Sequence, residues 1–106
     1  MNTFEERKKG FEAKYKQDQD FQFKARALRN KLIGEWAASL INPSNKENYI
    51  KEVRISDLEK PGDDDIIEKL LSDFKSKNLV IHKEEIIKKI NECNNIAIQK
   101  LQKENN

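Results

Sequence analysis

The chain has 106 residues, a length that fits one small domain rather than two, and it carries hydrophobic residues at 36% and charged residues at 38%. Its formal net charge is +2, from 21 Lys and Arg against 19 Asp and Glu, so the charges are mixed and argue against nucleic acid as the main partner. A single cysteine, the lack of a secretory signal and the lack of an apolar run long enough to span a membrane predict a cytoplasmic protein in a reducing compartment.

Residues 1–16 have the pattern of an amphipathic helix that is weak on its own. Thr3 and Glu6 have the spacing of a capping box, and Phe4, Phe11 and Tyr15 recur at intervals that place three rings on one side of a helix. Helices of this length are marginal in water, and a central glycine costs about 1 kcal/mol more relative to alanine. The pattern predicts a conditionally ordered helix.

Two interpretations of this segment are open on composition. It is either a fifth packed helix or a frayed, solvated end, or it is a helix that binds a groove on a partner. The ring spacing suits helix-in-groove recognition, and five cations are available to pair with acids around such a groove: Arg7, Lys8, Lys9, Lys14 and Lys16. Binding to a membrane surface is disfavoured because Glu5, Glu6 and Glu12 interrupt the basic side and the apolar face is narrow.

A polar joint at residues 17–20 precedes the clearest helical stripe in the chain. Apolar residues recur there at intervals of three or four and predict a helix from about Asp20 to Leu40: Phe21, Ala25, Leu28, Leu32, Trp36 and Leu40, with Ala37 and Ile41 widening the stripe. Pro43 disfavours helical backbone at Asn42 and ends the helix. Gly34, in the middle of the stripe, indicates close packing against another helix.

Two shorter helices follow. Ser44 and Glu47 have capping-box spacing and open the first, whose apolar positions are Tyr49, Ile50, Val53 and Leu58. A turn at residues 60–62 ends it, and residues 63–65, three aspartates, supply a cap and two acids for the first turn of the next helix. That helix runs to about residue 77, with its apolar face made by Ile66, Ile67, Leu70, Leu71 and Phe74.

The last helix is expected over about Lys83 to Lys103. Asn78 is suited to end the preceding helix in a left-handed conformation, and residues 79–81 are an apolar connector with no second strand to pair with. The inner face of the last helix is predicted from its spacing: Ile86, Ile87, Ile90, Cys93, Ala97 and Leu101. The sequence therefore predicts an all-α protein, a small four-helix bundle over residues 18–106 preceded by the helical segment 1–17.

Few residues in this chain are suited to catalysis, and we expect no enzyme activity, metal or cofactor. The only histidine, His82, lies at a predicted helix start, and the three aspartates lack the pattern of a calcium loop. The three glycines form neither a phosphate-binding loop nor a dinucleotide fingerprint. Trp36 and Cys93 are expected in the core.

Several short runs together resemble a known family. They are TFEER at 3–7, FEAKY at 11–15, FKA at 23–25, RNKLIG at 29–34, WAA at 36–38, YIKEV at 49–53 and EKPGDDD at 59–65. In this order they resemble the zeta subunit, the ATPase inhibitor of alphaproteobacterial F-type ATP synthases. The resemblance covers nearly the whole chain.

The resemblance implies a bundle carrying an N-terminal inhibitory segment that enters an interface between the alpha and beta catalytic subunits, with gamma as a further contact, and blocks ATP hydrolysis. The protein would then be peripheral to the inner membrane through the ATP synthase, without inserting into the membrane itself. The expected partner-binding residues are Thr3, Phe4, Glu5, Glu6, Arg7, Lys8, Phe11, Glu12, Lys14 and Tyr15. The alternative is a small helical protein that senses a nucleotide or another ligand.

Overall fold

The computed structural model describes residues 4–58 and 62–104, and the side chains within those ranges from residue 19 onward. Its helices are α1 (Phe4–Ile41), α2 (Lys46–Ser56), α3 (Asp64–Ser76) and α4 (Lys83–Glu104). No strand occurs in the described ranges, and residues 79–82 connect α3 to α4 without regular secondary structure. The prediction of an all-α fold is confirmed.

Helix α1 is a single element that includes the predicted joint. The backbone runs without a break from Phe4 to Ile41, so residues 17–20 lie inside the helix and do not start a new one. The polar residues 17–20 do not end α1, because polar side chains reduce apolar burial but leave the backbone hydrogen bonds of a helix intact. The division into a segment 1–17 and a bundle 18–106 stays a prediction.

The hydrophobic core lies where α1 packs against both α2 and α4, while α3 closes the bundle against α2 and α4. Its buried members from α1 are small or branched: Ile33, Ala37 and Ala38. The other three helices contribute Tyr49, Val53, Ile66, Ile67, Leu70, Phe74, Ile86, Ile90 and Cys93. The apolar positions predicted for α3 are therefore confirmed, with Leu71 packed at the edge of the core.

The predicted stripe on α1 is confirmed at Ala25, which is 1% exposed, but farther along the helix the most buried residues are Ile33, Ala37 and Ala38. Leu32 and Trp36 are only partly buried beside the core, and Leu40 is exposed. Because α1 packs against two helices at once, the centre of its contact lies between two rows, where small residues allow close approach. The larger side chains then lie at the flanks. On α4 the prediction for Ile87 is also wrong, because that residue is exposed.

Trp36 packs at the edge of the core rather than inside it. Its ring meets that of Phe74 edge to face, with centroids 5.5 Å apart, a favoured aromatic geometry. The ammonium group of Lys89 lies 5.8 Å from the Trp36 ring centroid. Trp36 therefore joins α1 to α3 and α4, with its outer side covered by a cation.

The ends of α1 and α3 confirm the predicted stop signals. Asn42 and Asn78 have φ of 54° and 59°, so each lies in left-handed backbone just after a helix. Gly62, with φ of 92°, lies before α3, but the predicted end of α2 at residues 60–62 is wrong, because α2 already ends at Ser56. The start of α2 corrects the prediction for Ser44, because the N-cap is Asn45, whose side chain accepts from the Asn48 amide at 3.0 Å. The predicted cap at Thr3 and the turn residues Lys60 and Pro61 lie outside the described residues.

Gly34 marks the closest approach of α1 to α2. A Cβ built there would lie 3.1 Å from Cγ2 and 3.2 Å from Cα of Ile50. We expect Gly34→Ala to lower the free energy of unfolding by about 1 kcal/mol, because crowding against backbone outweighs the gain in helix propensity. Urea unfolding followed by circular dichroism measures this change. Glu35→Ala, at the exposed neighbouring position, is the control and should change it by less than about 0.5 kcal/mol.

Candidate partner-binding site

The predicted partner-binding side chains belong to the N-terminal part of α1. Phe4 through Tyr15 fall within the helix bounds, Thr3 precedes them, and all ten side chains lie before residue 19, outside the described ones. Their contacts therefore stay a prediction. The structure does describe how α1 is held in the bundle beyond this segment, and two features there stand next to one another: a buried charge network and an apolar groove.

The charge network is centred on Asp57, which follows the last residue of α2. Its side chain is 1% exposed and receives two hydrogen bonds from Arg26, from Nε to Oδ2 at 2.6 Å and from Nη2 to Oδ1 at 2.8 Å. This is a bidentate pair, the strongest geometry between guanidinium and carboxylate. A buried carboxylate needs such partners, because desolvating a charge is costly.

Two more α1 side chains complete the network. Asn30 donates from Nδ2 to Asp57 Oδ2 at 2.7 Å, and Arg29 lies 3.4 Å from the same oxygen. Arg29 also donates to Asn30 Oδ1 from Nε at 3.0 Å and from Nη2 at 2.8 Å. Residues 26, 29 and 30 occupy adjacent turns on one side of α1, so three side chains converge on one carboxylate. The network fixes α1 against the end of α2.

Asp63 extends the network to the start of α3. It is the N-cap residue of α3 but makes no side-chain capping bond. Its Oδ1 instead accepts from Arg29 Nη1 at 3.0 Å and from Arg26 Nη2 at 3.3 Å, and Arg26 also donates to the Gly62 carbonyl at 2.8 Å. The predicted capping role of this side chain is therefore wrong, because two arginines 34 and 37 residues away compete for the carboxylate.

The network changes the acidity of its members. Burial alone would raise the pKa of Asp57, but the hydrogen bonds from Arg26 and Asn30 and the charges of Arg26 and Arg29 outweigh it, so the pKa of this carboxyl lies below its ordinary value. The hydrogen bond to Asp57 raises the pKa of Arg26 in turn. Asp57 is therefore ionised at neutral pH and the cluster is held by full charges.

The apolar groove runs between α1 and α2 beside the network. It has a volume of about 600 Å³ and is lined by Phe23, Ala27, Asn30, Glu47, Ile50, Lys51, Arg54, Ile55 and Leu58. Phe23 is 74% exposed and Leu58 75% exposed. Leu58, predicted as an inner position of α2, is therefore on the surface, because α2 ends at Ser56 and the chain turns before it. Phe23 was not among the residues of the apolar stripe predicted for α1. Its position outside that stripe is the sequence signal that could have indicated an exposed aromatic residue.

Comparison with known families identifies the group to which this chain belongs. The family profile described as ATPase inhibitor subunit zeta matches residues 1–100. The chain belongs to the ATPase inhibitor subunit zeta family. A search of curated protein sequences found no match. The zeta match begins at residue 1, so it takes in the N-terminal segment as well as all four helices, and an inhibitory role follows from the family.

The remaining candidates for chemistry in this zeta-family chain have structural roles. His82 is exposed, and its carbonyl accepts from the Glu85 amide at 3.0 Å at the start of α4. Burial raises the pKa of the Cys93 thiol, which lies in the core as predicted. Among the described residues no group of three potential metal ligands occurs. None of the helices, as far as their residues are described, is long and apolar enough to cross a membrane.

Proposed function

We propose that this zeta-family chain inhibits ATP hydrolysis by an F-type ATP synthase through insertion of its N-terminal segment at a catalytic interface between alpha and beta subunits. The observation that carries the proposal is the family match over residues 1–100, which includes that segment. The segment begins the same helix whose later turns enter the core at Ile33, Ala37 and Ala38. A blocking helix and its anchor are then one element.

Residues 1–17 bind at the interface between the alpha and beta subunits, and the bundle of residues 18–106 obstructs ATP hydrolysis mechanically. Phe4, Phe11 and Tyr15 bury apolar area in the crevice, while the mixed charges around them set orientation. Ordering the segment costs several kcal/mol, since fixing the backbone takes roughly 1 to 2 kcal/mol per residue before contacts offset it. The rings must therefore provide most of the affinity.

The rigid bundle converts binding of a short helix into a mechanical obstruction. Arg26, Arg29 and Asn30 hold α1 to Asp57 just beyond the segment, so the helix cannot slide along the bundle without breaking charged hydrogen bonds. No bond is made or broken in a substrate by this mechanism. In this proposal the protein is cytoplasmic and peripheral to the inner membrane, held there through the synthase, with gamma as a further contact.

The deciding experiment measures ATP hydrolysis and ATP synthesis by the purified cognate ATP synthase with and without the full chain. Hydrolysis is expected to fall to a small residual rate at saturating inhibitor, while synthesis is retained, because the stop acts in the hydrolytic direction. Unchanged hydrolysis would contradict the proposal. Binding of adenine nucleotides in a calorimetric titration, with hydrolysis unchanged, would favour the ligand-sensing alternative instead.

A further inference from the structure

The α1–α2 groove exposes apolar side chains that a bundle surface would not be expected to display together. Three of its lining residues are large apolar side chains that are exposed: Phe23 at 74%, Leu58 at 75% and Ile55 at 49%. Single exposed apolar residues are ordinary, but a contiguous set around a concave surface is typical of a binding site. The groove is therefore built to receive an apolar side chain.

The rim of the groove shows which charge the occupant carries. Lys51 and Arg54 line it from α2, and neither forms an ion pair within the part of the chain that the structure describes. Among the lining residues that the structure describes, Glu47, near the start of α2, is the only acid. Two cations against one acid favour an occupant that presents carboxylates beside its apolar group.

The position of the groove connects it to the inhibitory segment. Arg26 pairs with Asp57, so Phe23 on α1 and Leu58 after α2 lie at the same end of the bundle, the end from which α1 continues toward residue 4. In a helix the seven steps from Lys16 to Phe23 span about 10 Å.

We propose that the α1–α2 groove is a second contact with the ATP synthase, taking an apolar side chain flanked by carboxylates from the surface of the catalytic subunits beside the crevice. This inference rests on the proposed function, because a partner that encloses residues 3–16 brings its outer surface within reach of the groove. The occupant is thus a surface of the same partner.

The charge network keeps the groove formed before binding. Asn30 lies in the groove wall and donates to Asp57, the residue that precedes Leu58, so both walls are tied to one buried carboxylate. A surface that needs no rearrangement loses less free energy on association than a mobile one. The contact therefore adds to the affinity of the N-terminal segment and slows dissociation.

The test replaces the apolar rim with acids and measures the concentration that half-inhibits hydrolysis by the purified cognate ATP synthase. Phe23→Glu with Leu58→Glu is expected to raise that concentration at least tenfold, since both anchors are lost and acids face acids. The matched control is Val80→Glu with Ile96→Glu. These apolar side chains are 81% and 53% exposed and do not line the groove. The control should inhibit like the wild type, and both variants should keep its melting temperature.

A second variant tests the charge of the occupant. Lys51→Glu with Arg54→Glu should weaken inhibition at least fivefold, and the weakening should shrink as salt concentration rises. Inhibition by the Phe23 and Leu58 variant at the wild-type concentration would overturn the inference while leaving the proposed function standing. So would light scattering that shows a wild-type dimer which this variant dissociates. A wild-type chain that does not inhibit removes the proposed function, and this inference falls with it.

Discussion

Removal of residues 1–16 is expected to abolish inhibition of ATP hydrolysis while the remaining chain stays folded. The described core residues lie between Ala25 and Ala97, so the truncation deletes none of them. The charge network is also intact, since its first member is Arg26. Hydrolysis assays with the cognate synthase and thermal unfolding by circular dichroism measure the two effects. Full inhibition by the truncated chain would contradict the assignment of this segment.

Point substitutions test what the aromatic rings contribute to inhibition without shortening the segment. Phe4→Ala with Phe11→Ala is expected to weaken inhibition at least tenfold, because an aromatic anchor at the centre of an interface contributes about 2 kcal/mol or more. Asn2→Ala is the control from the same segment, at a position with no predicted contact, and should leave inhibition within about twofold. A large fall in melting temperature for the double variant would instead identify the segment as a fifth packed helix.

Replacing Asp57 with alanine is expected to cost about 3 kcal/mol of unfolding free energy, a large fraction of the stability of a small domain. The reason is that Arg29, whose side chain is 7% exposed, loses its buried acidic partner. Asp63→Ala is the matched control, because its carboxylate is 38% exposed and bonds the same two arginines. It should cost about 1 kcal/mol or less. Equal losses in urea unfolding would show that burial of Asp57 contributes nothing.

The same residue predicts how stability depends on pH. Since the folded pKa of Asp57 lies below its unfolded value of about 4, its contribution is complete above that value and is lost as pH falls through the folded pKa. Urea unfolding between neutral and acid pH should therefore show a steeper loss for the wild type than for Asp57→Ala below about pH 4. Parallel curves for the two proteins would contradict the charged network.

The sequence predicted where α1 and α3 end because those signals are local. Asn42 before Pro43 and Asn78 each act through their own backbone, so no knowledge of the fold is needed to interpret them. The positions of α3 and α4 followed from apolar periodicity in the same way. The most buried row of α1 could not be predicted from the local sequence, since it depends on how α2 and α4 pack against that helix.

The charge network could not be predicted because its members are separated in the sequence. Arg29 and Asp57 are 28 residues apart, and each has the appearance of a surface charge on its own helix. Asp63 was predicted to cap α3 through its side chain for the same reason, because the start of that helix is close in the sequence and the two arginines are not. The family resemblance included Arg29 and Asn30 without giving either a role. Burial of charge is a property of the packed bundle alone.

The network at Asp57 also sets a reference point from which the helical phase of α1 can be counted. Arg26 is held in one orientation, so each residue inserted between Lys16 and Arg26 would rotate the N-terminal rings by about 100° and move them by about 1.5 Å. One inserted residue would therefore turn Phe4 and Phe11 away from the direction that the proposed contact requires, whereas seven residues would nearly restore their direction at greater reach. The length of this stretch thus sets the direction of the N-terminal rings relative to the bundle.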